Sequence, residues 1–264
     1  MFNFCNLYSG SSGNCSFVGT DNVNVLIDCG ESQKKINTGL ESIGKDLSQI
    51  DAIIVTHEHS DHVKTLGAIS KKYNIPVYAN QKTFDNMPDQ TNLIDEKNKK
   101  VFNTDDHFEI GDLDIHPFHI PHDAAEPCGY NIFNNDKKVS VATDIGHMEN
   151  NIIKRLEGSN FLLLESNYEP SILKYSRYPY YLKQRIAGPN GHLSNQEASD
   201  TIIKLISSGV NNIMLGHLSK ENNFPELAYK TVMEEIINNK INKELSLCVA
   251  SRLKPSNIIN LWFY

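Results

Sequence analysis

Short apolar runs separated by turn-forming residues open the chain. Residues 2–8, 15–18 and 23–30 each read as a strand, with Ser9-Gly10-Ser11-Ser12-Gly13-Asn14 between the first two, so the pattern predicts a meander. Strands and helical stretches then alternate. Asp51-Ala52-Ile53-Ile54-Val55 predicts a buried strand, residues 62–73 a helix and Ile75-Pro76-Val77-Tyr78 a further strand, which is α/β ordering. Strands return at 113–120, 128–133 and 138–143, followed by a helix from Met148 and the apolar strand Phe161-Leu162-Leu163-Leu164. Ser194 stands three residues before Glu197, the reciprocal capping pair that opens a helix, and Ala198, Ile202, Leu205 and Ile206 supply its apolar stripe. Asn212-Ile213-Met214-Leu215 predicts a strand, and Pro225 suits the first turn of a helix continuing over 227–237. Strand-like runs at 245–249 and 258–263 close the chain. With no internal repeat, linker or low-complexity stretch, one domain over residues 1–264 is expected.

Composition narrows the class. A chain of 264 residues, 39% hydrophobic and 22% charged with mean hydropathy −0.40, buries a sizeable core. No apolar run reaches the roughly 18 residues of a bilayer crossing, and Met1-Phe2-Asn3-Phe4-Cys5 lacks the basic end and apolar stretch of a signal peptide. A cytoplasmic protein without a membrane partner is therefore expected. Cys5, Cys15, Cys29, Cys128 and Cys248 are odd in number and form no Cys-x-x-Cys pair, the pattern of reduced, buried thiols. The formal charge of −7, from 25 Lys+Arg and 32 Asp+Glu, advertises no polyanion partner for the whole chain. A nucleic-acid site would be local or assisted by metal ions.

The ten histidines are unevenly placed. Thr56-His57-Glu58-His59-Ser60-Asp61-His62 sits between the buried strand and the following helix, and its His-x-His-x-Asp-His core arises by chance on the order of once per thousand such chains. Residues two apart on an extended strand end project to one side, so His57 and His59 face one metal, while the turn into the helix brings Asp61 and His62 toward a second. Further candidates each follow an apolar run into a loop: His122, Asp144 and His217. His119, three residues before His122, competes for the same role. Imidazole and carboxylate together suit zinc or manganese, and a carboxylate can bridge two cations, the role assigned to Asp144.

These residues resemble the metallo-β-lactamase fold family, whose hydrolases carry the His-x-His-x-Asp-His run followed by a distant His, Asp and His. The resemblance implies a four-layer αββα sandwich with two divalent ions, Zn²⁺ or Mn²⁺. One would be held by His57, His59 and His122, the other by Asp61, His62 and His217, with Asp144 bridging. Asp28 falls where the family has a structural Asp that orients the metal loop. Ser9 to Asn14, Glu165-Ser166-Asn167, Gly191-His192-Leu193-Ser194-Asn195 and His217-Leu218-Ser219-Lys220-Glu221-Asn222-Asn223 are similar to the YycJ/WalJ family, bacterial metal-dependent phosphodiesterases regarded as 5′-to-3′ exonucleases acting on DNA. An enzyme using a metal-bridging hydroxide as nucleophile is thereby implied. The alternative on the same scaffold is a glyoxalase II-like hydrolase of small phosphodiesters, esters or thioesters.

Two cations lower the pKa of a shared water and stabilise charge on phosphoryl oxygens. Asp61 would orient the nucleophile, and His192, in a Gly-rich loop at a helix start, would protonate the leaving alkoxide. A histidine that merely packs at the helix start has the same sequence. Ser11, in a hairpin turn or a phosphate-contacting loop, and Glu165, Asn167 and Ser194 are candidate substrate contacts. So are Lys174, Arg177, Lys183 and Arg185, in a stretch, 171–185, with four basic residues, four tyrosines and no acid. Basic groups meet phosphates and tyrosines stack on bases, the features of a nucleic-acid track, though a solvated face with tyrosines on the core fits the same pattern.

Overall fold

The computed structural model describes residues 1–89 and 93–261. Among them two seven-stranded sheets form. The first holds β1 (Phe2–Tyr8), β2 (Cys15–Gly19), β3 (Asn24–Ile27), β4 (Ala52–Ile54), β5 (Val77–Asn80), β6 (Lys99–Phe102) and β14 (Ile259–Leu261), in the order β14-β1-β2-β3-β4-β5-β6. The second holds β7 (Phe108–Ile110), β8 (Leu113–His119), β9 (Cys128–Asn134), β10 (Lys137–Ala142), β11 (Phe161–Glu165), β12 (Asn212–Gly216) and β13 (Ser246–Val249), in the order β13-β12-β11-β10-β9-β8-β7. Each sheet is antiparallel on one side and parallel on the other. The parallel strands β3 to β6 and β10 to β13 are joined to one another by crossovers that carry helices.

Side-chain alternation explains the layering. In β11, Phe161 and Leu163 enter a core shared by both sheets, whereas Leu162 and Leu164 enter a second core under helices α5 (Asn150–Leu156), α8 (Asn195–Ser207) and α9 (Pro225–Asn238). In β3, Val25 and Ile27 face the shared core, and Leu26 faces a third core under α1 (Gln33–Glu41), α2 (Ser60–Val63) and α3 (Leu66–Tyr73). Strands buried on both faces read as continuous apolar runs. The result is a helix, sheet, sheet, helix sandwich, the expected four-layer αββα fold. Phe4 and Phe161 pack across its middle with ring centroids 4.9 Å apart.

Several elements differ from expectation. The helix expected over 62–73 is broken at Thr65, whose N–H donates to the Cys29 carbonyl (3.0 Å) and whose hydroxyl donates to that of Glu31 (2.7 Å), so α2 ends and α3 restarts. Helices α1 and α4 (Gln81–Asn86), strands β6 and β7, and the short helices α6 (Pro170–Tyr175) and α7 (Tyr180–Ile186) carry no distinct pattern in the sequence. Of the last expected strand, residues 258–263, Trp262 and Phe263 lie outside the described residues. Cys248 is exposed on β13, unlike the other four thiols, which are buried and free. The Ser194 and Glu197 capping box opens α8 as expected: the Ser194 hydroxyl accepts from Glu197 N at 3.2 Å, and Glu197 Oε2 accepts from Ser194 N at 2.9 Å. No helix of the described residues is long and apolar enough to cross a membrane.

Candidate metal centre

The seven candidate ligands follow strand ends, five in loops and Asp61 and His62 in the short helix α2. His57, His59, Asp61 and His62 follow β4, His122 follows β8, Asp144 follows β10 and His217 follows β12. Close backbone packing aims the first of these loops: a Cβ on Gly30 would lie 1.6 Å from the Asp61 carbonyl oxygen, so only glycine fits there. Two more loops are tied to it. The Glu58 carboxylate accepts from Ala125 N at 2.7 Å, and Asn14 N donates to Asp61 O at 2.8 Å.

The structure brings the seven together. His57, His59 and His122 form one cluster of possible ligand atoms and Asp61, His62 and His217 another, while Asp144 clusters with His57 and His62 and with His217. His122 Nε2 lies 3.3 Å from His59 Nδ1 and 3.7 Å from Asp144 Oδ1. His62 Nε2 lies 3.4 Å from Asp144 Oδ2 and 3.6 Å from Asp61 Oδ2, which is 3.5 Å from His217 Nε2. Two ligands about 2.1 Å from one tetrahedral ion stand about 3.4 Å apart, so these separations match the edges of coordination tetrahedra. Moreover, His57 Nε2, Asp144 Oδ2 and His217 Nε2 are buried without a hydrogen-bond partner. An orphaned buried polar atom costs about 1–3 kcal/mol, and divalent cations at the two clusters would satisfy all three. The residues fit a metal centre.

Their tautomers suit it too. His62 Nδ1 donates to Asp28 Oδ2 (2.8 Å), His122 Nδ1 to the Gly191 carbonyl (3.0 Å) and His217 Nδ1 to Glu165 Oε1 (2.8 Å). A carboxylate or carbonyl only accepts, so Nδ1 carries a proton and Nε2 is the ring nitrogen turned toward the cluster, where an ion would take its lone pair. Asp28, the expected support residue, also accepts from Thr56 N (2.9 Å) and Thr56 Oγ1 (2.8 Å). Thr56 Oγ1 is in turn 3.1 Å from His57 Nδ1.

The electrostatics divide the ligands. Burial and the neighbouring histidines push His57 well below its ordinary value, and burial lowers His122. Both rings are neutral. Burial also opposes charge on His62, but Asp144, Asp28 and Asp61 outweigh it and hold this ring at about 9. Asp61, although buried, is kept well below the usual carboxylate range by His62 and His217, and Glu165 likewise by His192 and His217.

The other candidates separate clearly. Ser11, Arg185 and His192 line, with His59, Asp61, His122, Asp144 and His217, a pocket of about 180 Å³. His192 Nδ1 donates to Glu165 Oε1 at 2.9 Å, leaving Nε2 free for proton transfer. Arg185 pairs with Asp123, its Nη2 at 3.2 Å from Oδ1. Glu165, Asn167 and Ser194, expected to touch substrate, are buried and occupied. Glu165 takes Ile145 N and Leu193 N on Oε2 and the two histidines on Oε1. Asn167 Nδ2 donates to the His217 carbonyl at 2.7 Å, and Ser194 is committed to its helix cap. These three position the site from beneath. Lys174, Arg177 and Lys183 lie on the α6–α7 segment, and Lys183 Nζ donates to the carbonyls of Lys174 and Ser176, both at 2.8 Å. His119 is exposed on β8, its Nε2 3.9 Å from Asp105, away from the cluster.

Sequence reasoning assigned no role to Asn14, Thr56 or Asp123. Asn14 Nδ2 stands 3.1 Å from His62 Nε2 and 3.4 Å from Asp61 Oδ2. Its signal was the Ser-Gly-Ser-Ser-Gly-Asn run, and that of Thr56 its place directly before the first ligand.

Residues 23–208 match the beta-lactamase superfamily domain. The chain is 37% identical over 231 residues to exodeoxyribonuclease YycJ of Bacillus anthracis, covering 88% of each chain. It is 37% identical over 237 residues to exodeoxyribonuclease WalJ of Streptococcus pneumoniae, covering 89% of this chain and 88% of that one. Among solved structures, the metallo-beta-lactamase fold protein YhfI from Bacillus subtilis superposes with a TM-score of 0.74 at 15% identity, over 97% of this chain and 99% of the other.

Proposed function

Because the chain belongs to the beta-lactamase superfamily and, within it, to the YycJ/WalJ exodeoxyribonuclease family, we propose that this metallo-hydrolase is a dinuclear 5′-to-3′ exonuclease acting on DNA, formed by one domain spanning residues 1–264. The observation that carries the dinuclear reading is the pair of ligand clusters meeting at Asp144, with orphaned atoms on His57, Asp144 and His217. His57, His59 and His122 would hold one ion and Asp61, His62 and His217 the other, Asp144 bridging; the donor set suits zinc or manganese. When bound, such ions acidify a shared water and neutralise charge on the phosphoryl oxygens.

The chain's own groups do the rest. Asp61, ionised at neutral pH, orients the attacking water. His192, its Nδ1 proton fixed on Glu165, gives a proton from Nε2 to the leaving alkoxide. Ser11 and Arg185 at the pocket mouth meet the scissile phosphate, and Lys174, Arg177 and Lys183 carry the flanking chain.

The test is digestion of 5′-labelled and 3′-labelled DNA and RNA, single- and double-stranded, with Mn²⁺ or Zn²⁺, beside His57→Ala. Mononucleotides released from the 5′ end of DNA, and absent with the variant, are expected. Cleavage of no polymer by protein carrying two ions per chain would overturn the reading in favour of a small phosphodiester or thioester substrate.

A further inference from the structure

The turn between β1 and β2 stands at the mouth of the metal pocket. Gly13 N donates to Gly10 O at 3.0 Å, which closes a four-residue turn with Ser11 and Ser12 at its tip. Both serines are exposed, and neither their N–H groups nor their hydroxyls have a partner among the described residues. The turn is tied to the ligands on both sides. Asn14 Oδ1 accepts from Gly10 N at 2.9 Å and Asn14 N donates to Asp61 O at 2.8 Å, while Ser9 Oγ accepts from His217 N at 2.7 Å. Ser11 lines the pocket itself.

Arg252 completes this corner. Its stem lies against Gly10, where a Cβ would stand 2.7 Å from Arg252 Cγ, so the glycine leaves the room that the arginine fills. Ser9 N donates to Ser251 O at 3.2 Å, which fixes the backbone beside it. The guanidinium donates from Nε to Leu218 O (3.2 Å) and from Nη2 to Ser219 O (2.9 Å), and three of its five N–H groups remain. Arg185, at the same pocket, is paired with Asp123. Arg252 forms no ion pair among the described residues, and Glu221 acts on it only at longer range. A half-buried cation held by neutral carbonyls keeps its charge for an anion.

The unused groups on this corner, guanidinium and amide N–H and serine hydroxyl, can all donate, and a phosphate group offers several oxygens that only accept. The metal pocket, about 180 Å³, receives one such group, and a nucleotide chain carries its next charge one residue along. We infer that Arg252 and the Ser11–Ser12 turn form a second phosphate subsite beside the metal pocket, which holds the phosphate group neighbouring the scissile one. Arg252 grips two of its oxygens with a fork of N–H groups, and Ser12 meets another through its amide and hydroxyl. The inference rests on the nuclease reading above.

The test measures binding apart from cleavage. Thymidine 3′,5′-bisphosphate, 5′-monophosphate and 3′-monophosphate are titrated into metal-loaded protein by calorimetry. The bisphosphate should bind about tenfold or more tightly than either monophosphate. Arg252→Gln should abolish this gain with monophosphate affinity and ion content unchanged. Ser12→Asp, at an exposed position, keeps the fold and should abolish it by repulsion. Duplexes with 5′-phosphate and 5′-hydroxyl ends separate the two sources of the group. A roughly tenfold kcat/KM preference for the phosphorylated end, lost in Arg252→Gln, identifies the terminal monoester. Equal rates, with a neutral methylphosphonate next to the scissile linkage slowing the wild type and not Arg252→Gln, identify the downstream diester. A gain that survives both substitutions overturns the subsite and leaves the nuclease reading to the cleavage of DNA. A gain lost in both, in a protein that cleaves no polymer, supports the subsite and sinks the nuclease reading. An ion lost from Arg252→Gln with the gain intact in Ser12→Asp would make Arg252 only a support of the His217 loop and overturn the inference.

Discussion

Glu165→Gln tests the scaffold beneath the ions. Fully buried at the end of β11, Glu165 accepts four N–H groups: Ile145 N (2.7 Å) and Leu193 N (3.1 Å) on Oε2, His192 Nδ1 (2.9 Å) and His217 Nδ1 (2.8 Å) on Oε1. A glutamine is nearly isosteric but offers one oxygen and one NH₂ group, so one pair of donors must face another donor. Backbone amides cannot change tautomer, and leaving both unpaired would cost about 1–3 kcal/mol each. The amide oxygen therefore turns to Ile145 and Leu193, and its NH₂ group meets the histidines. His217 must then accept at Nδ1 and move its proton to Nε2, the atom otherwise free for an ion. Loss of such supporting partners typically lowers metal affinity about 10–100-fold. We expect Glu165→Gln to keep a cooperative unfolding transition while the second ion binds 10–100-fold more weakly in a competition titration with a chromophoric chelator. Proton-coupled ¹⁵N spectra of His217 should show the changed tautomer. Two ions bound at wild-type affinity would refute this account of Glu165.

Other outcomes follow from the same geometry. His62, ordinarily near 6.5, is held at about 9 by Asp144, Asp28 and Asp61 against the effect of burial. Its contribution to metal-free stability, about 3 kcal/mol at most, is complete below pH 6.5 and lost as pH rises through 9, so chelator-treated protein should melt lower at pH 9 than at pH 6.5. Over that window metal affinity should rise, because the ion displaces the His62 proton; proton release measured by calorimetry in two buffers checks it. His192→Ala should lower kcat about 10²–10⁴-fold with metal content unchanged, and loss of an ion instead would make His192 a ligand. Ser194→Ala removes one half of the α8 capping box and should cost about 0.5–2 kcal/mol in denaturant unfolding.

Legibility followed burial. β3, β4 and β11 could be read because both of their faces are buried, which writes an apolar run into the sequence. β6 and β7 lie at sheet edges, and Lys99-Lys100-Val101-Phe102 leaves Lys100 and Val101 exposed, the polar and short character by which edge strands avoid further pairing. Helix α1 buries Ile36, Gly39 and Leu40, too little apolar surface for a helical period to stand out. Four of the seven candidate ligands lie within residues 57–62, and the other three end apolar strands, so their clustering was visible. The burial of Glu165, Asn167 and Ser194 was not. A polar residue ending a strand has the same local sequence whether it points into the pocket or under it, and only the tertiary partners decide.

Three site residues share a backbone feature that ties fold to metal. Asp28, Asp144 and His217 follow β3, β10 and β12 with φ of 62°, 62° and 53°. Such left-handed geometry costs a non-glycine residue about 1–3 kcal/mol and persists only where its surroundings impose it. Asp28 is held by Thr56 and His62. At His217, N donates to Ser9 Oγ (2.7 Å) and the carbonyl accepts from Asn167. Loop 9–14 thus grips His217 through Ser9 and the Asp61–His62 pair through Asn14, joining ligands that follow strands of different sheets. Asp144 is different: its following amide is tied to Glu165, but its Oδ2, 3.4 Å from His62 Nε2, has no hydrogen-bond partner among the described residues. Bound ions would offset its strained backbone and orphaned oxygen, so on the dinuclear proposal the position between the two clusters depends most on metal for its order.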